Sequence, residues 1–183
     1  GFLAGSLYPV GEKPRFIRAA DLDGDGLDDL IVANRDASTI SLEQNYGSLL
    51  FGTYTSSSYS TADISLRHPM YLDLADVNGD GLADLVATWA ESNYFTVFPR
   101  TAAGIEFGSP YLIPTGDTPI GIVASDVDAD GDVDVAVANT MAGNISILVR
   151  NCSLRILSDS AFSANPKLRF KDADGEDAWI SCA

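Results

Sequence analysis

Histidine occurs once in this chain, at His68, cysteine only twice, at Cys152 and Cys182, and lysine plus arginine total 11 against 26 acidic residues. A hydrolase triad needs a histidine, and His68 stands directly before Pro69 at a strand entrance, where an ordinary turn role accounts for it. The shortage of cations leaves no basic stripe to neutralise phosphates, which argues against nucleic acid as a partner. No apolar run approaches the ~20 residues that a helix needs to span a bilayer, so no membrane span is expected. Helical periodicity is almost absent. Short β-branched runs between turn signals take its place and point to an all-β chain.

What the chain has in excess is aspartate. The formal net charge is −15, and 13 of the 26 acidic residues lie in three stretches that share one design. Asp21 opens DLDGDGLDDLIVAN, Asp76 opens DVNGDGLADLVATW and Asp126 opens DVDADGDVDVAVAN. Aligned on the first Asp, each has acidic or amide side chains at positions 1, 3 and 5, Gly at 6, Asp at 9 and then an apolar run. Carboxylates crowded within a few ångströms repel by roughly 1 kcal/mol per pair even in bulk water. A merely solvated acidic turn therefore explains three in-register copies poorly. A hard divalent cation takes about six to eight oxygens, and alternate side chains of a tight loop converge on one point while the Gly turns the chain. Calcium is the expected cofactor, at about three sites. The first uses Asp21, Asp23, Asp25 and Asp29 with the Leu27 carbonyl; the second uses Asp76, Asn78, Asp80 and Asp84 with the Leu82 carbonyl. The third uses Asp126, Asp128, Asp130 and Asp134 with the Asp132 carbonyl. Three bound dications bring the formal charge to about −9, so most of the acidity describes metal sites.

An EF-hand shares positions 1, 3, 5 and 6 but needs a bidentate Glu at position 12 and a helix on either side. Position 12 is Val32, Ala87 and Val137, and the segments LIVAN, LVATW and VAVAN are too short and too β-branched for helices. EF-hand signalling is not expected.

Repetition extends beyond the loops. Pro14, Pro69 and Pro119 each stand seven residues ahead of a first Asp, and the first aspartates are spaced by 55 and then 50 residues, the period range of propeller or solenoid repeats. Strands are expected over 30–34, 39–44 and 49–54 in the first copy, 85–89, 95–98 and 105–113 in the second, and 135–139 and 144–149 in the third, each first strand running from the Pro into its loop. At 183 residues the chain has the size of one domain. It divides into an orphan N-terminal strand (1–11), three repeats (12–61, 62–115, 116–151) and a degenerate C-terminal capping repeat (152–183). In the last, Asp172, Asp174 and Gly175 fill positions 3, 5 and 6, but Phe170 and Ala178 stand at positions 1 and 9, and no calcium site is expected there.

The start at Gly1 without Met fits a processed mature protein or a trimmed fragment. Calcium loops of modest affinity belong outside the cell, where Cys152 and Cys182 are expected to close a disulfide around the C-terminal segment and stabilise it by roughly 3 to 4 kcal/mol; two free buried thiols are the alternative. Residues 53–61 hold seven Ser or Thr, read as a polar outer strand and loop or as an O-glycosylated patch. Asn144 and Asn151 open N-glycosylation sequons.

The Gly-x-x-Pro entries (Gly11 to Pro14, Gly116 to Pro119), the D-x-D-x-D-G-x-x-D loops, the LIVAN-like strands and the Phe-Gly pairs at 51–52 and 107–108 resemble FG-GAP/VCBS repeats, the blades of integrin-α-like β-propellers. The resemblance covers about residues 9–149. It implies four-stranded blades with one largely structural calcium in each loop between the first two strands. Asn78 replaces Asp, and Arg67-His68-Pro69 lacks the Gly entry. Such propellers close with about seven blades, so three blades and part of a fourth imply an incomplete or open propeller with unsatisfied edges. The chain is then a fragment of a longer propeller, a subunit that completes its ring by oligomerising, or a link in a head-to-tail array joined by strand addition through residues 1–11. The functional expectation is a secreted or cell-surface, non-enzymatic, calcium-stabilised module for adhesion, structure or assembly. The rivals are a glycan-binding module that stacks sugars on Trp89, Tyr94, Tyr111 or Trp179, and a fragment of a larger propeller protein such as an extracellular enzyme or adhesin; a carboxylate-pair glycosidase has acids enough, but nearly all cluster where metal explains them.

Overall fold

The computed structural model describes residues 6–48, 50–54, 66–101, 105–150, 167–171 and 177–181, and among them every regular element is a strand. The first sheet runs β1 (Pro14–Ala20), β2 (Asp29–Asn34), β3 (Thr39–Asn45), β4 (Phe51–Tyr54). The second runs β5 (Pro69–Ala75), β6 (Asp84–Trp89), β7 (Tyr94–Phe98), β8 (Tyr111–Pro114). The third has β9 (Pro119–Ser125), β10 (Asp134–Asn139) and β11 (Asn144–Leu148). Each is an antiparallel meander in chain order, none closes into a barrel, and β12 (Lys167–Lys171) pairs with β13 (Asp177–Ser181) as a separate hairpin. The three sheets are blades 1, 2 and 3 of an open, propeller-like stack.

The stacking follows from side-chain alternation on the strand after each loop. Ile31 and Ala33, at loop positions 11 and 13, face forward, and they share a core with Leu85, Ala87 and Trp89, the rear-facing positions 10, 12 and 14 of blade 2. The same step recurs one blade on, where Val86 of blade 2 packs with Val135 and Val137 of blade 3. Strand β6 is therefore buried along its whole length, as a strand covered on both faces should be. The innermost strands are pinned together by one carboxylate. Asp73 on β5 pairs with Arg18 of β1 and accepts the backbone N–H of Ala124 on β9 at 3.0 Å.

Each first strand begins at its Pro, and the pairing slips beside that residue in all three blades, between Pro14 and Phe16, between Pro69 and Leu72, and opposite Pro119 between Ala138 and Asn139. Proline offers no N–H to the ladder. The residue before it adopts a left-handed conformation every time, with φ of 50° at Lys13, 56° at His68 and 55° at Thr118. That turns its carbonyl to accept N–H from Arg35, Ala90 and Thr140 at 3.0, 3.0 and 2.9 Å. Trp89, offered above as a sugar platform, is instead fully buried and donates its indole N–H to Thr96.

Two expected strands differ. Of the segment 1–11, the described residues 6–11 form no strand. Pro9 interrupts the donors, and Tyr8 sets its ring edge-on against Phe51 of the same chain at 5.3 Å. The strand expected over 105–113 begins only at Tyr111, because the Phe107-Gly108 pair makes a return instead: Gly108 N–H donates to the Pro99 carbonyl at 2.7 Å and Phe107 bridges to Arg100. Cys152, Cys182, Asn151, the loop 172–176 and most of the Ser/Thr-rich stretch lie outside the described residues. Asn144, the other sequon residue, opens β11 and accepts a hydrogen bond from Asn139.

Candidate metal centres

The three acidic loops join the first and second strands of their blades, and much of their internal wiring recurs. The carboxylate at position 1 folds the loop over itself: Asp21 accepts N–H from Gly24 at 2.7 Å and Gly26 at 2.9 Å. Asp76 does so from Gly79 and Gly81, and Asp126 from Asp130 and Gly131. At position 3, Asp23, Asn78 and Asp128 accept from the N–H two residues on. At position 5, Asp25, Asp80 and Asp130 accept from Leu27, Leu82 and Asp132, the residues expected to lend a carbonyl. Position 6 is left-handed in all three, with φ of 86° at Gly26, 87° at Gly81 and 94° at Gly131, which is why Gly recurs there.

Position 9 holds the loop to the sheet. Asp29, Asp84 and Asp134 are buried, and each accepts the N–H of loop position 2 on one oxygen. The other oxygen of each accepts the N–H sixteen residues on, from Asn45, Arg100 and Arg150, always at 2.8 Å. This clasp ties the loop entrance to the end of the third strand. Sequence reading gave these residues a ligand role alone; the equal spacing was the available signal for the second one. Burial pushes the Asp84 carboxyl up to about 6, with Asp80 and Asp76 adding repulsion, and burial also raises Asp29.

Carboxylate oxygens converge in two of the loops. Those of Asp21, Asp23 and Asp29 lie within 4.8 Å of one another, as do those of Asp126, Asp128 and Asp130. Hard oxygens gathered at this spacing, each with lone pairs left after its backbone bond, fit a calcium-type cation. The second loop is built differently. Asn78 directs its amide N–H2 at Asp80 (3.1 Å) and Asp84 (3.4 Å), placing a donor where the other loops have a carboxylate oxygen. Arg150 also crosses from blade 3 to donate to the Asn78 carbonyl at 3.1 Å while lying 3.4 Å from Asp132, so it links loops 2 and 3. Gln44 donates to Asp23 at 2.6 Å over loop 1, a contact with no sequence signal. His68 lies 2.7 Å from the Glu91 carboxylate, at the strand entrance expected for it.

No curated protein matches the chain. A family model, the FG-GAP-like repeat, matches residues 21–87 and again 76–137, each match running from the first aspartate of one loop into the strand after the next. The two together span more than half of the sequence, and the chain belongs to the FG-GAP-like repeat family.

Proposed function

We propose that the chain is a secreted, calcium-stabilised, non-enzymatic β-repeat module with a structural, adhesive or extracellular assembly role. The observation that carries this reading is the convergence of carboxylates in loops 1 and 3 beside the β1–β2 and β9–β10 connections. Like charges held this close are unfavourable without a cation, and a cation there would fix the strand entrances that set blade spacing. Calcium in this reading shapes loops and cancels charge. The test is thermal unfolding in chelator and after calcium is restored. A lower melting temperature in chelator, regained with calcium, is expected; superimposable curves would sink the calcium assignment.

Self-association is part of the same reading. The forward face of blade 3 leaves Ile145 and Ile147 65% and 52% exposed, whereas strand addition to a neighbouring copy through residues 1–11 would require Tyr8 to leave its contact with Phe51. Sedimentation with and without residues 1–11 separates the routes. Monomers in both preparations remove assembly from the proposal.

A further inference from the structure

Blade 1 departs from its two successors at one rear-facing position. Glu43 on β3 stands opposite Leu30, where the same register sets Phe98 opposite Leu85 and Leu148 opposite Val135. Phe98 and Leu148 are packed in the cores between blades. Blade 1 has no preceding blade among the described residues, yet Glu43 is only 3% exposed. It lines a cavity of about 470 Å3 whose lining includes Tyr8, Ile17, Leu30, Val32 and Phe51. Its Oε1 is buried with no hydrogen-bond partner among the described residues. Burial raises the carboxyl, and among the described residues no cation offsets it, although Arg15 also reaches the cavity wall. A carboxylate desolvated without a partner is strongly unfavourable, and a group that supplies charge and donors relieves it.

We propose that this cavity binds a primary ammonium group carried on an aliphatic stem, as in an alkylamine or a lysine side chain. The ammonium brings a compact charge and three donors to Oε1. The stem matches the apolar walls, the Tyr8 and Phe51 side chains among them. A divalent metal does not suit the cavity, because among the described residues Glu43 is the sole carboxylate lining it and such an ion needs about six oxygens. A guanidinium fork suits it less well, since its planar geometry asks for two open oxygens.

The test is an amide-resolved NMR titration of the full chain with n-butylammonium chloride, using sodium chloride at equal ionic strength as the blank. Saturable shifts are expected at Leu30, Val32 and Phe51. Glu43→Gln, which keeps the shape and removes the charge, weakens binding by about tenfold or more. Glu43→Leu, which supplies the residue type of the other blades, folds and binds no amine. Nα-acetyl-lysine amide and an extended lysine-containing tripeptide are titrated in parallel. Tighter binding of the tripeptide assigns the site to a protein lysine, tighter or equal binding of butylammonium assigns it to a free amine, and either result supports the site. Unsaturable shifts in the native chain, or equal affinity in Glu43→Gln, overturn it.

Discussion

The aspartates of the three loops look alike in sequence but differ in what they hold. Those at positions 1, 3 and 5 are exposed or half-buried and accept backbone N–H groups within the loop, whereas Asp29, Asp84 and Asp134 are buried and each clasp the N–H of loop position 2 and one sixteen residues on. Replacing Asp84 by Ala orphans both donors, so a loss of about 3 kcal/mol or more is expected in urea unfolding, with or without calcium. Asp84 also gives stability a pH dependence. Its folded-state carboxyl titrates at about 6 against an ordinary 3.8, so the metal-free fold holds the proton more tightly than the unfolded chain. Its unfavourable contribution is absent below about pH 4, grows as pH rises, and is complete above about pH 6, at most about 3 kcal/mol. Chelated protein is therefore expected to be more stable at pH 5 than at pH 7 as far as Asp84 decides it, and calcium should narrow or reverse the difference by favouring the carboxylate. Equal stability of chelated native protein and chelated Asp84→Asn at both pH values would show that the residue does not set this trend. Backbone conformation gives a further expectation. Ala129 occupies position 4 of loop 3 with φ of 63°, where Gly24 and Gly79 stand in the other loops at 80° and 83°. Left-handed geometry costs a residue with a Cβ roughly 1 to 2 kcal/mol, partly offset by the greater freedom of glycine in the unfolded chain. Ala129→Gly should thus raise the melting temperature slightly, and Gly24→Ala, which meets no neighbouring atom, should lower it through conformation alone.

At the scale of the strand and its connections, the Gly-x-x-Pro entry has a steric cause. A Cβ on Gly11 would sit 2.6 Å from the Asn34 side chain, and one on Gly116 would sit 2.7 Å from that of Asn139. Those asparagines end β2 and β10 and donate to Ser41 and Ser146 seven residues on. Blade 2 changes both partners together: Trp89 replaces the Asn and bonds Thr96, again seven residues on, while Leu66 replaces the Gly and joins Trp89 in the core. Gly116→Ala is expected to cost about 1 to 3 kcal/mol. In Asn139→Gly, which also removes the Cβ that would lie 2.9 Å away, the same change should cost much less, and a double-mutant cycle in urea unfolding reads that coupling; additive losses would mean that the contact is not the reason for the Gly. Much of this element was legible beforehand. The fixed spacing of Pro, Asp and the apolar run located every loop and the strands around it, because metal-type loops and period-two alternation impose local rules. What escaped was relational. The missing Gly before Pro69 reads as a defect until Trp89 is seen to fill the same space, and Glu43 reads as one more polar residue of the strand expected over 39–44 until its register sets it where Phe98 and Leu148 lie. The strand expected through Ile105 failed because the apolar pattern runs on across a turn that Gly108 makes.

For the whole molecule, the governing fact is that the blade contact joins unlike surfaces. A forward face meets a rear face twice, between blades 1 and 2 and between blades 2 and 3, and a contact between unlike faces can continue until something closes or caps it. The two ends of the stack are not equivalent. The rear of blade 1 carries Glu43 within a cavity lined in part by Tyr8, whereas the forward face of blade 3 presents Val123, Ile145 and Ile147 to solvent. Plain head-to-tail repetition of the internal contact would press those three apolar residues toward a buried carboxylate, so the forward face of blade 3 is the better seat for association with an apolar partner surface. Substituting Ile145→Thr together with Ile147→Thr isolates its role. Both side chains are more than half exposed, so unfolding should move by no more than about 0.5 kcal/mol each, while β-branching keeps the preference for β11. If the face mediates association, sedimentation of the double variant should lose its concentration dependence while the melting temperature stays close to that of the native chain. A native chain that sediments as a monomer at every concentration, or a variant that associates as strongly as the native chain, would remove this face from the account of assembly.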